Sequence, residues 1–443
     1  MLAGSDDLSS PLPVLVISYI FPPVGEVGAK RIASFCRHFP AAGIRPVVLT
    51  AKEKYYRYPD KSSLPPAGIE LVRTEVSRTP LDFYRQWKTR TAVPVGSAPV
   101  NGEASAKEPG LLQRNIIALL QTPDPYWGWY FPAVAAGKQL LERERFSAIF
   151  SSGPPWISHL VARALKLYSG VPWLADFRDP WSYDPYFRKE QPRWKDWIAR
   201  KLEARCVQEA DRIVCNTDPL RQLYTELYPE RKAADFLTLT NGFEDATPPP
   251  GIETSERRKV FLHVGWLYAQ RRVDTFCEAI ALLVARGKLL KGTFEVVFLG
   301  SADPKIVEDA LKKTPSLFKD GSIRFEPPVN WQEAQRRIWS ADCLLAFQGS
   351  LRLEVPAKLF EYVPTGKPIF AVVKPGALSD LLDQTGIGSW ADPDDSEKIA
   401  ERFLEVLRQP ARSPEEVQQR WSGQLHFRSL TARLAEQICE LSS

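Results

Sequence analysis

Short apolar runs and helix-length stretches of mixed polarity alternate along this chain from Pro13 to Val373, and that alternation leaves few folds open to it. It is the pattern of parallel sheets flanked by helices, so an α/β class is predicted. In the first half the strand-like runs are Pro13–Ser18, Pro46–Thr50, Ala148–Ser151, Pro172–Ala175, Arg212–Cys215 and Phe236–Leu239. Helical segments between them include Ala29–Phe39, Ala133–Arg143, Ile157–Tyr168 and Trp194–Ala210. In the second half the runs are Val260–Val264, Phe294–Leu299, Ser322–Phe325, Cys343–Phe347 and Pro368–Val373, each followed by a helical stretch. No repeat at the 20–50 residue periods of solenoids is present.

The series is broken at Gly242–Arg258, a stretch rich in Pro, acids and Ser that reads as a linker. A chain of 443 residues has room for two domains of ordinary size. They are predicted at 1–245 and 258–408, followed by a helical tail at 409–443. Thr89–Pro109, small and polar, reads as a surface loop, either an insertion without a role or an acceptor-side lid.

Composition narrows the function. The chain is 44% apolar and 25% charged, enough to bury ordinary cores. A net charge of +5 without a concentrated basic stripe argues against nucleic acid and suits a protein that handles anionic ligands or rests on an anionic surface. The six cysteines are scattered, without a CxxC pair or a neighbouring His at metal spacing, and read as reduced core thiols of a cytoplasmic protein. The N-terminal MLAGSDDLSSPLP has no apolar core of a secretory leader, and no stretch approaches the ~20 apolar residues of a membrane span.

Several strand ends carry chemistry. After the first run comes Phe21-Pro-Pro-Val-Gly25-Glu-Val-Gly28-Ala-Lys-Arg31, then a helix. Such glycines either make a tight connection or let backbone N–H groups approach a phosphate or carboxylate. The pattern is not GxGxxG, which excludes the usual dinucleotide cofactors. Trp173-Leu-Ala-Asp176-Phe-Arg178-Asp179-Pro-Trp181 places charges at a strand's C-terminal end, where open α/β sheets bind ligands, unless they form a local ion pair. Ser151-Ser-Gly-Pro-Pro155 ends another strand at the same edge. In the second half Gly265 follows a strand and Arg271-Arg272 come six residues later, suited to phosphate by the planar guanidinium fork. Farther on, Pro356 opens a short helix in which Leu359, Phe360 and Val363 face inward. Lys358 and Glu361 share another face, either a surface ion pair or a cation for a diphosphate and a carboxylate for a ribose diol.

Other patterns are discounted. Asp392-Pro-Asp394 resembles a metal-binding D-x-D, yet it abuts a helix predicted at Asp395–Leu407 and reads as its cap, so no metal ligand is assigned. His159 and His263 stand alone and suit core or orienting roles. No G-x-S-x-G elbow is present.

Taken in order, ISYIFPPVGEVGAKR, SSGPP, ADFRDPW, the TNGF of Thr240–Phe243, HVGWLYAQRR and VPAKLFEYVPTGKP resemble the family 4 retaining glycosyltransferases of the GT-B fold over nearly the whole chain. The resemblance implies two Rossmann-like domains facing each other across a cleft, with the C-terminal helix crossing back to the N-terminal domain. It implies a nucleotide-sugar donor such as a UDP- or GDP-sugar, held mainly by the second domain, and no metal or other cofactor. By position, Gly25, Gly28, Gly265, Arg271, Arg272, Lys358 and Glu361 would bind the donor. Arg272, with Arg271 as runner-up, would hold the diphosphate. Glu361 corresponds to the second glutamate of the family's E-x7-E, whose first falls on Leu353, with Glu354 one place away. The family's His-Asp is here Arg178-Asp179.

A front-side mechanism follows from that resemblance. The donor phosphate accepts the acceptor proton while Arg272 stabilises the departing diphosphate. Asp176, Arg178 and Asp179 complete the expected catalytic set, the two acids orienting the acceptor hydroxyl. A sugar-nucleotide epimerase and a non-catalytic nucleotide-sugar binding protein are the rival expectations. The acceptor is expected to be a carbohydrate or lipid-linked sugar of surface polysaccharide or glycolipid synthesis, with peripheral contact to the inner face of an anionic membrane. Two basic stretches would make that contact: Lys30, Arg31, Arg37 and His38 beside Ile32, Phe35 and Phe39, and Arg188–Arg205 with Lys195, Arg200, Lys201, Trp194 and Trp197; the alternative is that Phe35, Phe39 and the tryptophans pack inward while the charges are solvated.

Overall fold

A computed structural model of the chain describes residues 11–56, 59–60, 63–83, 111–183, 192–250, 258–268, 271–349 and 351–442. Among them, strands β1 (Leu12–Ile17), β2 (Ile44–Ala51), β3 (Glu70–Thr74), β4 (Ala148–Gly153), β5 (Trp173–Phe177), β6 (Arg212–Cys215) and β7 (Phe236–Thr238) form one sheet in the order β3-β2-β1-β4-β5-β6-β7. Strands β8 (Lys259–Val264), β9 (Phe294–Leu299), β10 (Ile323–Glu326), β11 (Cys343–Gly349), β12 (Ile369–Val373) and β13 (Ser389–Ala391) form a second, ordered β10-β9-β8-β11-β12-β13. Every pairing is parallel, beginning with Leu12 opposite Ile44 on β1–β2 and Lys259 opposite Phe294 on β8–β9. In each sheet the winding reverses beside its first strand, between β1 and β4 and between β8 and β11. Ligands of open α/β sheets bind outside the strand ends at such reversals.

The apolar runs are nearly continuous because both faces of the sheets are covered. In the first sheet Leu15, Ile17, Val47, Leu49 and Ile149 join a core with helices Tyr130–Arg143 and Ile157–Ser169. The alternate residues Val14, Val16, Val48 and Phe150 join another with helices Val27–His38 and Phe427–Ser442. Phe35 lies edge-on to Phe150 at 6.0 Å and to Phe427 at 5.6 Å. Ile32, Phe35 and Phe39 are therefore interior residues, and Arg31 is only 2% exposed. Of the two alternatives for the first helix, inward packing of Phe35 and Phe39 is the one found.

The chain divides into one compact unit of 1–240 with 427–443 and another of 241–426. The predicted tail is thus split. Helix Pro414–Leu425 places Val417, Trp421 and Leu425 in the second unit's core, whereas Phe427, Leu430, Leu434 and Ile438 belong to the first unit's. The first boundary falls at 240 rather than 245, because Phe243 is buried in the second unit and donates its N–H to the Leu425 carbonyl at 2.9 Å. The sequence reading lacked β3 and β13, both at sheet edges, short and partly exposed. All of Thr89–Pro109, the predicted surface loop, lies outside the described residues, together with its surroundings from 84 to 110.

Candidate functional site

At the end of β8 the backbone turns through Gly265, whose φ of +128° favours glycine. A Cβ there would sit 2.4 Å from the Lys358 ammonium, so the cation lies directly against the turn. Lys358 begins helix Lys358–Tyr362, anchored by the buried Leu359, Phe360 and Tyr362, and the Tyr362 hydroxyl accepts the Val264 N–H at 3.1 Å. Beneath the ammonium lies His263. Its Nδ1 is 3.0 Å from the Leu345 carbonyl, which can only accept, so Nδ1 carries the proton. Nε2 then presents a lone pair to Lys358 Nζ at 3.4 Å. Burial, with Arg271 adding to it against Glu361, pushes the Lys358 amine down to about 7.

The two arginines part company. Arg272 gives both sides of its fork to Asp274, at 3.0 and 2.7 Å, and has Asp394 at 3.9 Å. Arg271 lies over the Tyr268 ring at 4.3 Å, touches the Trp266 carbonyl at 3.3 Å, and keeps a buried Nε without a hydrogen-bond partner among the described residues. The runner-up is therefore the arginine left with a donor to offer, while Arg272 is engaged by a neighbouring carboxylate. Glu361 is half-buried, with Gln335 Nε2 at 3.5 Å. Where the first glutamate of E-x7-E is missing, Gln348 Nε2 donates to the Leu351 and Glu354 carbonyls and shapes the loop. Asp392 and Asp394 hold Lys374, and Asp395 alone caps helix Ser396–Leu407, accepting the Lys398 N–H at 2.9 Å; the cap reading moves by one residue. Among the described residues no group of three or more His, Cys, Asp or Glu side chains is placed to hold a metal ion.

In the first unit Asp176, at the end of β5, is fully buried and accepts both Arg31 Nε and Nη2, at 3.1 and 2.8 Å, plus the Ser152 hydroxyl at 2.7 Å. Arg31 also donates to the carbonyls of Leu239 and Thr240. Asp176 thus holds the first helix to the sheet instead of presenting a carboxylate to an acceptor. Two residues on, Arg178 is 7% exposed and its guanidinium lies on Gly28, where a Cβ would be 2.0 Å from Nη1. Asp179 is half-buried beside it, and Gly25 is exposed in the loop after β1. His159, enclosed by the Trp156 and Phe177 rings, is held neutral by burial, which pushes it down to about 3. The Arg31–Asp176 pair joins residues 145 apart, and nothing local in the sequence signals it.

Two parallel sheets of this winding, each with a glycine turn and a cation at its reversal, define the chain as an α/β protein of the GT-B class. Residues 28–242, just under half of the chain, match the glycosyl transferase 4-like domain. A Pseudomonas aeruginosa protein named probable glycosyltransferase WbjE is 26% identical over 228 residues, 48% of this chain and 54% of the relative. The match thus spans about half of that relative's length. Sucrose-phosphate synthase from Thermosynechococcus elongatus superposes with a TM-score of 0.63 at 14% identity, covering 97% of this chain and 99% of its own. HepE from Anabaena, solved with UDP and glucose, gives 0.60 at 13%, covering 97% and 100%. Likeness at such identities speaks for the fold.

Proposed function

We propose that this protein is a glycosyltransferase that takes a sugar from a nucleotide-diphosphate sugar, with the donor gripped by the second unit and the acceptor by the first. One observation carries the reading: a half-buried ammonium, Lys358, set against a glycine turn with the unpartnered Nε of Arg271 nearby. A diphosphate seated there would add counter-charge to both cations, and charge-assisted contacts to it are the stronger class of hydrogen bond. Glu361 would take the ribose diol. The neighbour HepE, solved with UDP and glucose, supports a UDP-type donor. Transfer with retention then needs no protein nucleophile. The donor phosphate takes the acceptor proton while Lys358 and Arg271 stabilise the departing diphosphate, in the role expected of Arg272.

A thermal-shift screen of UDP, GDP, ADP and dTDP tests the donor site, since ligand at 100 times its dissociation constant stabilises by about 2.7 kcal/mol. Incubation with the matching nucleotide sugar and no acceptor should give only slow hydrolysis. Conversion to an epimeric nucleotide sugar would overturn transfer, and binding without turnover across a broad acceptor panel would leave a binding protein. Turnover should survive EDTA, and Asp392→Asn with Asp394→Asn should leave it intact; activity lost to EDTA and restored by manganese sinks the metal-independent reading.

The acceptor we assign to surface polysaccharide or glycolipid synthesis, with the protein resting on an anionic membrane. Support comes from helix Arg193–Glu209, where Trp197 is 62% exposed beside the exposed Arg193, Arg200 and Lys201. Trp194 Nε1 reaches Asn115 at 3.3 Å, which sets alongside it a helix with Leu119 64% exposed. Residues 188–191 of the expected basic stretch lie outside the described residues. No helix among the described residues is long and apolar enough to cross a membrane. Each cation near an anionic surface contributes about 1 kcal/mol, so Arg200→Glu with Lys201→Glu should abolish flotation with anionic vesicles at low salt. Unchanged flotation of that variant rejects this surface.

A further inference from the structure

An exposed tryptophan stands on the turn that carries the second unit's cations. Trp266 follows Gly265 directly and is 43% exposed, while the next residue, Leu267, is buried in the core. The turn beneath the indole is pinned along the end of β9. Gly265 N–H donates to the Leu299 carbonyl at 2.8 Å and Leu267 N–H to the Ser301 carbonyl at 2.8 Å, and the Leu267 carbonyl accepts the Asp303 N–H at 2.9 Å. The side chain therefore leaves from fixed backbone.

Its ring is braced as well. The Trp266 and Tyr268 centroids are 4.6 Å apart with their planes at 41°, and the Arg271 guanidinium lies over Tyr268 at 4.3 Å. Arg271 Nη1 closes the group by donating to the Trp266 carbonyl at 3.3 Å. Trp266, Tyr268 and Arg271 thus form one stacked unit that shares its arginine with the diphosphate grip. Such bracing lowers the rotamer entropy that a ligand contact would otherwise cost. A lone exposed aromatic on a surface is ordinary. One held rigidly beside two cations at a strand end is placed like the apolar wall of a ligand pocket.

The order of contacts in this unit tells which part of a donor meets the ring. Gln335 reaches Glu361 at 3.5 Å, Glu361 lies three residues from Lys358 on one helix, Lys358 lies against Gly265, and Trp266 comes next. With the ribose on Glu361 and the diphosphate on Lys358, the base falls toward Gln335 and the sugar toward Trp266. A pyranose presents a face of C–H groups, whose slightly positive hydrogens are attracted to the electron-rich face of an indole.

We propose that Trp266 is a specificity-determining residue, its indole taking the C–H face of the pyranose ring of the donor. This rests on the transferase reading. Tyr268 and Arg271 hold the indole in place, and a sugar that turns an axial hydroxyl onto the ring loses the contact, because that hydroxyl gives up water without a hydrogen-bond partner.

The full-length chain is titrated calorimetrically with UDP, GDP, ADP and dTDP, and with the glucose and galactose conjugates of whichever binds. Trp266→Ala should leave affinity for that nucleoside diphosphate within about twofold of wild type and weaken at least one conjugate about 5- to 10-fold. Trp266→Phe should recover most of the loss, since a smaller aromatic face still stacks. Both variants should melt as the wild type does, because the side chain they change is exposed. Equal weakening of diphosphate and conjugate would make Trp266 a prop for Arg271 and overturn the proposal. So would conjugate affinities that Trp266→Ala leaves unchanged, or that Trp266→Phe fails to restore. If no nucleoside diphosphate binds the wild type, the transferase reading fails and takes this proposal with it; a diphosphate that binds without any Trp266-dependent sugar contribution defeats the proposal alone.

Discussion

Replacing Asp176 with Asn is expected to destabilise the protein by about 3–5 kcal/mol, the cost of breaking a buried ion pair from one side. Asp176 is 0% exposed and Arg31 2%, so the substitution leaves a guanidinium enclosed without its counter-charge. Asn keeps one acceptor oxygen for which Ser152 and the two Arg31 donors must compete, while the bonds from Arg31 to the Leu239 and Thr240 carbonyls would remain but cannot neutralise it. Urea denaturation followed by tryptophan fluorescence measures the loss as a lower midpoint. The double replacement Arg31→Met with Asp176→Leu should recover most of it, because a buried pair often contributes little net stability over apolar residues of similar size. A single Asp176→Asn variant within about 1 kcal/mol of wild type would show the pair to be better solvated than its burial indicates.

The second large effect concerns Lys358 and has two signs. In the folded chain its amine titrates near 7 because burial, and then the Arg271 charge, penalise the ammonium; unfolded, it returns to the ordinary lysine range near 10.4. Between those values the unfolded chain binds the extra proton, so unliganded stability should rise with pH, and the burden of the buried charge is full only below about 7. Donor affinity should run the other way. A UDP-sugar keeps its diphosphate charge through this range, so binding that needs the ammonium must take up a proton above pH 7. Affinity is then expected to fall by up to about tenfold per pH unit. Lys358→Met should lower affinity about 10- to 100-fold at pH 6 and flatten both profiles. Isothermal titration from pH 6 to 9 checks this, with proton uptake read from buffers of different ionisation enthalpy. A wild-type affinity that does not change with pH removes Lys358 from the diphosphate.

The class of fold was legible from the apolar runs alone. Strands such as Val14–Ile17 and Val296–Leu299 are apolar throughout because both faces of a parallel sheet are covered, and helix starts and stops fell within a few residues of their observed places. Glycine turns were legible too. Gly265 stands where a strand gives way to a loop and Gly28 at the start of the first helix, and a side chain at either would collide with a cation. The edge strands β3 and β13 were not, since Glu70–Thr74 and Ser389–Ala391 are short and half-exposed and carry no distinctive pattern.

Pairing is what only the tertiary structure decided. The sequence by itself placed Arg271 beside Arg272 and Asp176 beside Arg178, and local spacing treats each couple as equivalent members of one site. Folding separates them. Arg272 finds Asp274 and Asp176 finds Arg31, so these charges are spent on the scaffold, whereas Arg271 and Arg178 keep buried N–H groups unanswered. The helical tail divides for a similar reason, Trp421 and Phe427 lying six residues apart yet in different cores. A motif fixes which chemical groups arrive at a strand end. Which of them remains free for a ligand depends on partners brought from as far as 145 residues away, and the free energy of a charge is set by those neighbours and by its burial, neither of which is local in sequence.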